Sequence, residues 1–464
     1  GNRFGGEVGL SGGAAQVSAA DGLRLGDLDV VSLVALSGGT LDLGRGEIHD
    51  HLEATSNDGI AQSGALLVGG TSALDAGTGS LVLAHAGNDF VGAVDATGAA
   101  ITISDTNALT AGTITGTADV RLQSGGAMTL ENTITGNRID LATTDRFVNN
   151  AGAGALTAGD SWRVYLASPD DGHQFGGLDS NNTALWNTAA FGPVGPGNRY
   201  VFAYQPTLTF SSVDVTKTYG QAIELANSYT VAGLMDGVAG AYIGDTLANV
   251  VTGTPTLDSV GAGASATVAG GPYGIDISAG SVDASGSAYD LRFESTGVLT
   301  VDRAALTVTA SDAAKTYGEA SDLIGYTVEG LLNDDAVSGA DLTSTGSVTT
   351  ANVGDYVITV HNASGTGLDN YDITYVDGVL TVGKAGLVIR ANDGGKTYGE
   401  IGGLAGYAVE GLLNDDAVSG ADLTSAGSVA TANVGDYVIS VDSASGTGLD
   451  NYDITYVDGV LTVG

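Results

Sequence analysis

Residues 365–389, "GTGLDNYDITYVDGVLTVGKAGLVI", contain most of what decides the fold. Tyr371, Ile373 and Tyr375 alternate with Asp372 and Thr374, and "GVLTV" from Gly378 keeps the same two-residue period. That period gives a strand one buried and one wet face. The second strand then runs into "AGLVI" without the Gly/Ser-rich tether that a flexible linker would need. A stiff succession of β-units is expected.

The stretch recurs. "GTGLDNYDITYVDGVLTVG" starts at Gly365 and Gly446, "GLLNDDAVSGADLTS" at Gly330 and Gly411, and "ANVGDYVI" at Ala351 and Ala432, each pair offset by 81 residues. A diverged copy begins near Phe210, where "SAYDLRFESTGVLTV" from Ser287 parallels "DNYDITYVDGVLTV" from Asp369. It carries 17 extra residues, which are expected in the Gly- and Ala-rich stretch 257–271. Three tandem modules follow, each a small β-rich domain, β-grasp-like or sandwich-like. One short helix is expected in each over "NDDAVSGADL", with Asn333 as cap and Asp334 and Asp335 in the first turn.

"KTYG" opens every module, at Lys217–Gly220, Lys315–Gly318 and Lys396–Gly399. Its Gly permits a positive φ at a tight turn, its Tyr packs a ring and seeks a partner for its hydroxyl, and its Lys pairs locally. Asp214, Asp312 and Asp393 each stand three residues before that Lys. The motif reads as a fold-making corner, with a ligand or inter-module contact as the alternative.

Residues 1–160 carry a fainter repeat, "GNRFGGEV" at Gly1 and "GNDFVGAV" at Gly87. Short apolar runs return about every 20 residues, which suits a right-handed parallel β-helix of on the order of eight coils, roughly 40 Å long. A solenoid needs its last coil covered. Residues 161–206 are suited to cover it, since they hold Trp162, Trp186, Phe175, Phe191, Tyr200, Phe202 and Tyr204. The expected organisation is therefore all-β: a β-helix over 1–160, an aromatic C-terminal cap and junction over 161–206, and modules over 207–302, 303–383 and 384–464.

Composition narrows function. Fifteen basic residues against 53 acidic ones give a net charge of -38, which disfavours nucleic acid and anionic lipid. The absence of cysteine removes disulfides, thiolate metal sites and a cysteine nucleophile. No apolar run is long enough to span a membrane.

Taken together, "FGGLDSNNTALWN" from Phe175, "GNRYVFAYQPTLTF" from Gly197, "KTYG", "GLLNDDAVSG" and "NYDITYVDGVLTV" resemble the large secreted adhesins of Gram-negative bacteria. These are related to the filamentous haemagglutinins and carry tandem MBG (KTYG-type) modules after a β-helical rod. The resemblance implies two-partner secretion through an outer-membrane export partner, residence at the cell surface, and a role in attachment, aggregation or biofilm contacts. Both ends fall at repeat boundaries, so an excerpt of a longer chain is expected.

Candidate chemistry is sparse. Asp334, Asp335 and Asp341, or Asp369, Asn370 and Asp372, offer oxygens to Ca²⁺ but lack the spacing of a calcium loop. His49 and His51 in "HDH" are geometrically able to chelate a transition metal from one strand face, or else belong to an exposed turn. No catalytic motif is present, and no catalytic or metal residue is singled out. The leading expectation is a non-enzymatic adhesin or extracellular matrix protein with stiff modular spacers, contacting surface glycans, proteins or copies of itself. A self-assembling surface filament or sheath is the first alternative. A glycan-active β-helix enzyme, which would set a carboxylate pair in one groove, is the second.

Overall fold

A computed structural model describes all 464 residues. They form two compact units, one of residues 1–213, 226–258 and 276–297, the other of residues 214–225, 259–275 and 298–464.

In the first unit 21 strands join in one sheet, paired in parallel throughout, that winds into a β-helix. Leu23, Leu41, Ile60, Leu81, Ile101, Val120, Ile139 and Trp162 stack in register, one per coil, as the eight-coil expectation requires. None of the eight exposes more than 3% of its surface. Each gains dispersion contacts from the residue above and below as well as from across the interior.

The outward neighbours stack in the same register: Arg24, Asp42, Ala61, Val82, Thr102, Arg121, Asp140 and Arg163. Parallel coils hold such residues only about 4.8 Å apart, so like charges in sequence would repel. The charges instead alternate in sign. Arg24 lies 3.8 Å from Asp42, and Asp140 sits between Arg121 and Arg163 at 3.7 Å from each. Small polar residues close the corners: Ser37 and Ser56 pair in register, and each hydroxyl donates to backbone carbonyls at 2.6–2.9 Å.

The aromatic stretch covers the end of this rod. Trp162 meets Tyr200 edge-on at 5.3 Å, Phe175 meets Tyr200 at 4.7 Å, and Trp186 stacks on Phe202 at 4.9 Å. Tyr200 is fully buried and donates its hydroxyl to the Leu178 carbonyl at 2.7 Å. Tyr242, from the diverged repeat, joins the cluster against Phe175, Tyr200 and Phe202.

Tyr242 shows where part of the diverged copy's surplus lies. Asp245 lies twelve positions after Gly233, where Asp335 lies five after Gly330. Seven of the 17 extra residues therefore lie outside 257–271, where the surplus is expected, in the turn that carries Tyr242 into the cap. The copy's strands Thr207–Ser212, Tyr229–Ala232 and Asp290–Glu294 form a sheet of the first unit. Its strands Val215–Thr218, Tyr273–Gly274 and Val298–Asp302 form a sheet of the second.

The other two modules, in the second unit, are two-sheet sandwiches. Residues 303–383 set a sheet of Tyr326–Glu329, Ala304–Ala310 and Tyr371–Val376 against one of Ala313–Thr316, Gly378–Gly383, Gly354–Thr366 and Ala336–Thr343. Val308 and Ala310 from the first sheet meet Ile358, Val360 and Leu380 from the second. Residues 384–464 repeat the order strand for strand. One residue, Lys384, separates Gly378–Gly383 from Ala385–Ala391, so the last strand of one module runs into the first of the next.

The helix expected over "NDDAVSGADL" does not form. Asn333 takes a φ of 54°, unlike the extended backbone of a helix cap, and Ala336–Thr343 is a strand paired antiparallel with Gly354–Thr366. Val337, Ala340 and Leu342 are half-buried there, and sheet pairing overrides the local helix signal. The helical residues of these modules are the short 3₁₀ turns Thr345–Ser347, Leu368–Asn370, Ala426–Ser428 and Leu449–Asn451.

The stacked column makes a direct prediction. Ile101→Ala should destabilise the β-helix by about 2–5 kcal/mol in chemical denaturation, whereas Thr102→Ala, one residue along on the outer face, should change it by about 0.5 kcal/mol or less.

Candidate functional site

The chemistry-bearing side chains gather at the joints between repeats. In the second unit Tyr317 of one "KTYG" donates its hydroxyl to Asp416 of the next module at 2.7 Å. Tyr452 of that next module donates to the same carboxylate oxygen at 2.8 Å, and the two rings meet edge-on at 5.5 Å. One joint earlier, Tyr219 and Tyr371 share Asp335 at 2.7 and 2.9 Å, with their rings also 5.5 Å apart. A carboxylate with two hydroxyl donors forms charge-assisted bonds, stronger than neutral ones.

The rest of each joint is equally regular. Asn451 accepts from the Val353 amide at 2.8 Å, and Asn370 accepts from the Val268 amide at 2.9 Å. Asn414 donates to the Thr349 carbonyl at 3.2 Å, and Asn333 to the Ala264 carbonyl at 3.4 Å. Gly220 and Gly318 sit at φ of 84° and 89°, and any Cβ there would strike the Leu332 or Leu413 side chain of the next module. The Gly of "KTYG" thus serves both a left-handed turn and a close approach.

The first unit builds the same device without a "KTYG". Trp186 donates its indole N–H to Asp245 at 2.7 Å, and Tyr289 donates its hydroxyl to the same oxygen at 2.6 Å. Tyr289 accepts from the Met235 amide as Tyr371 does from Leu332 and Tyr452 from Leu413. Asp245 is therefore the counterpart of Asp335 and Asp416, with Trp186 of the cap in the place of the preceding tyrosine.

The other "KTYG" residues act within their own modules, though not as a Lys–Asp pair. Lys217 donates to the Gln221 and Gly263 carbonyls, and Lys315 to those of Glu319 and Val348. Both ammonium groups are nearly buried, which lowers their pKa. The upstream carboxylates instead receive backbone amides. Asp214 accepts from Val298 at 2.9 Å, and Asp312 and Asp393 accept from Val379 and Val460 at 2.8 Å.

The sequence's other candidates do not assemble. Asp335 is committed to two tyrosines, Asp341 bonds Asn362, and Asp372 lies 3.7 Å from Arg303. His49 bonds Asp29 at 2.9 Å and His51 lies 3.4 Å from Asp50, each half-exposed at a turn. No three His, Asp or Glu side chains come together as a metal site. Along the rod Glu53, Asp75 and Asp95 line one shallow groove. Asp95 and Asp75 there accept from the Thr113 and Gly77 amides, a local backbone role.

Residues 306–381 and 387–462 match the MBG domain (YGX type). The matched stretches are the two sandwiches whose "KTYG" corners and acidic loops meet at the second-unit joints. Residues 29–97, within the β-helix, match repeats of unknown function (DUF5649). No curated protein matches the chain. Among solved structures, the N-terminal four Ig domains of Dscam1 isoform 7.44 are 12% identical, covering 58% of this chain and 75% of that one, with a TM-score of 0.16. Drosophila N-cadherin EC1-4 is 7% identical, covering 65% and 73%, with a TM-score of 0.15. Scores this low do not define a shared fold.

Sequence reasoning found the "KTYG" tyrosines but not their acceptors. The signal was present, since Asp335, Asn370 and Tyr371 all recur at the 81-residue offset as Asp416, Asn451 and Tyr452. Two measurements test the joint. Asp416→Ala leaves two hydroxyls without their acceptor and should cost about 1–3 kcal/mol in denaturation of the second unit. The pKa values of Tyr371 and Tyr452 are pushed up to about 12, chiefly by burial and then by the adjacent Asp335 and Asp416. A raised pKa means the folded joint prefers the protonated phenol. Its contribution should be intact below about pH 10, the ordinary tyrosine value, and be lost as pH rises through about 12. Tyrosinate absorbance followed alongside far-ultraviolet circular dichroism should show that late class and the accompanying alkaline unfolding.

Proposed function

We propose that this chain is a non-enzymatic bacterial cell-surface adhesin or extracellular matrix protein in which the MBG-type modules act as stiff spacers. The observation that carries the reading is the joint. Each second-unit joint combines a near-continuous strand passage with a shared carboxylate, an asparagine clamp and a leucine seated on glycine. Such a joint resists bending, because movement would break several bonds at once. The tandem MBG-type match supports an extracellular setting.

The proposed mechanism is mechanical. A rigid array holds many weak contacts at fixed spacing, and binding at one raises the effective concentration at the others. The net charge of -38 keeps the chain solvated. Partners by this reading are surface glycans, proteins of neighbouring cells or copies of the chain, and export through an outer-membrane partner follows from the resemblance of its sequence.

The full chain, presented to a glycan array and to whole bacterial cells, should bind at least one of them, with avidity rising when it is displayed multivalently. Incubation with the same glycans should release no reducing sugar. Sugar release would sink the non-enzymatic reading, and binding to neither cells nor glycans would remove the adhesive one.

A further inference from the structure

Four of the chain's 15 basic residues, Arg121, Arg138, Arg163 and Arg199, lie on successive paired strands beside the cap. Arg121, Arg138 and Arg163 surround Asp140, whose side chain is only 7% exposed, at 3.7, 3.2 and 3.7 Å. Asp119 lies 2.9 Å from Arg138. Three guanidinium groups thus face two carboxylates, a local positive surplus in a chain whose net charge is -38. The pairing inside the cluster is loose. Asp140 Oδ1 and the Nε groups of Arg138 and Arg163 are buried without a hydrogen-bond partner. Arg121 reaches Asp140 only at 3.7 Å, beyond hydrogen-bond range, and keeps 45% of its side chain exposed.

The cap fixes the open edge of this cluster. The Phe191 ring lies 4.3 Å from the Arg121 guanidinium carbon, a cation–π contact, and packs on Ala142, Tyr165 and Val201. Its φ of 60° is a left-handed conformation that a bulky residue rarely adopts, and strain of this kind gathers at ligand clamps. Stacked on the ring, Arg121 has less rotamer freedom to lose when it binds. The outward positions around it are polar. Thr102 pairs in register with Arg121 on the preceding coil, and Gln123, two residues on, pairs with Ser104. Gln123 is exposed and both hydroxyl residues are half-buried. A planar cation, an amide, two hydroxyls and an aromatic edge therefore meet within two coils.

We propose that Arg121, Arg138 and Gln123, walled by Phe191, form a binding site for a sugar acid, a hexuronate unit of a surface glycan. The Arg forks take the carboxylate, whose two oxygens match their geometry, and Gln123 takes an adjoining sugar hydroxyl. One surplus positive charge suits one carboxylate better than a doubly charged phosphate. The net charge of -38 repels a densely charged polymer, which favours an isolated acidic sugar among neutral ones. The site deepens the adhesin reading, on which its biological setting rests, by naming one class of glycan.

Titration of the full chain with glucuronate, glucose and acetate at low ionic strength, read by calorimetry and saturation-transfer NMR, tests the site. Glucuronate should bind at least about tenfold more tightly than glucose or acetate, since each of those lacks one half of the recognised group. Arg121→Gln should weaken glucuronate by about tenfold or more, the loss of a charge-assisted bond, while far-ultraviolet circular dichroism stays unchanged. Gln123→Ala should weaken glucuronate and leave acetate as it was. Equal affinity for glucuronate and glucose would overturn the proposal, as would acetate binding as tightly as glucuronate, or an Arg121→Gln chain that binds like its parent. The readout is a free monosaccharide in solution, so its failure leaves adhesion to cells standing. Glucuronate binding without attachment to cells or glycan arrays would support the site and remove the adhesive reading alone.

Discussion

A carboxylate that receives one aromatic donor from each side of a joint is the interaction on which the modular part of this protein depends. It occurs at Asp245 with Trp186 and Tyr289, at Asp335 with Tyr219 and Tyr371, and at Asp416 with Tyr317 and Tyr452. A small sandwich buries little apolar surface by itself, so covering its ends matters disproportionately. The joint does this with aromatic rings and satisfies the polar atoms it buries in the same step. A tryptophan of the rod's cap fills the tyrosine's place at Asp245, so the device accepts more than one kind of ring donor.

The β-helix solves the same problem by other means. Each of its coils is incomplete alone and is covered by its neighbours through backbone pairing, with Leu, Ile and Val in register inside. Register also constrains the outside, and the strand-face alternation of Arg and Asp at Arg121, Asp140 and Arg163 is the consequence. The rod is tied together mainly by its backbone, whereas the modules are tied together mainly by side chains. This difference explains why substitutions at a few joint residues should matter more than substitutions elsewhere on the module surface.

The parts legible in the sequence were those with a short period. Two-residue alternation located the strands from Tyr371 and Gly378, the 20-residue recurrence gave the β-helix, and the aromatic density of 161–206 gave the cap. Where local preference and long-range pairing disagreed, pairing won. Asn333, Asp334 and Asp335 read as a helix start, but the following residues gain more from the strand Gly354–Thr366 than a single helical turn could return. The "KTYG" lysine, expected to pair locally, does so with backbone carbonyls, while the Asp three residues before it accepts from the Val298, Val379 or Val460 amide.

The sequence by itself determined the repeat, the strand faces and the passage of one module's last strand into the next, because these follow from period and from the absence of a linker. Only the tertiary structure decided what "KTYG" is for. Tyr317 and Asp416 are 99 residues apart, and no local rule relates them. Their meeting depends on the joint placing one module's corner against the other's acidic loop.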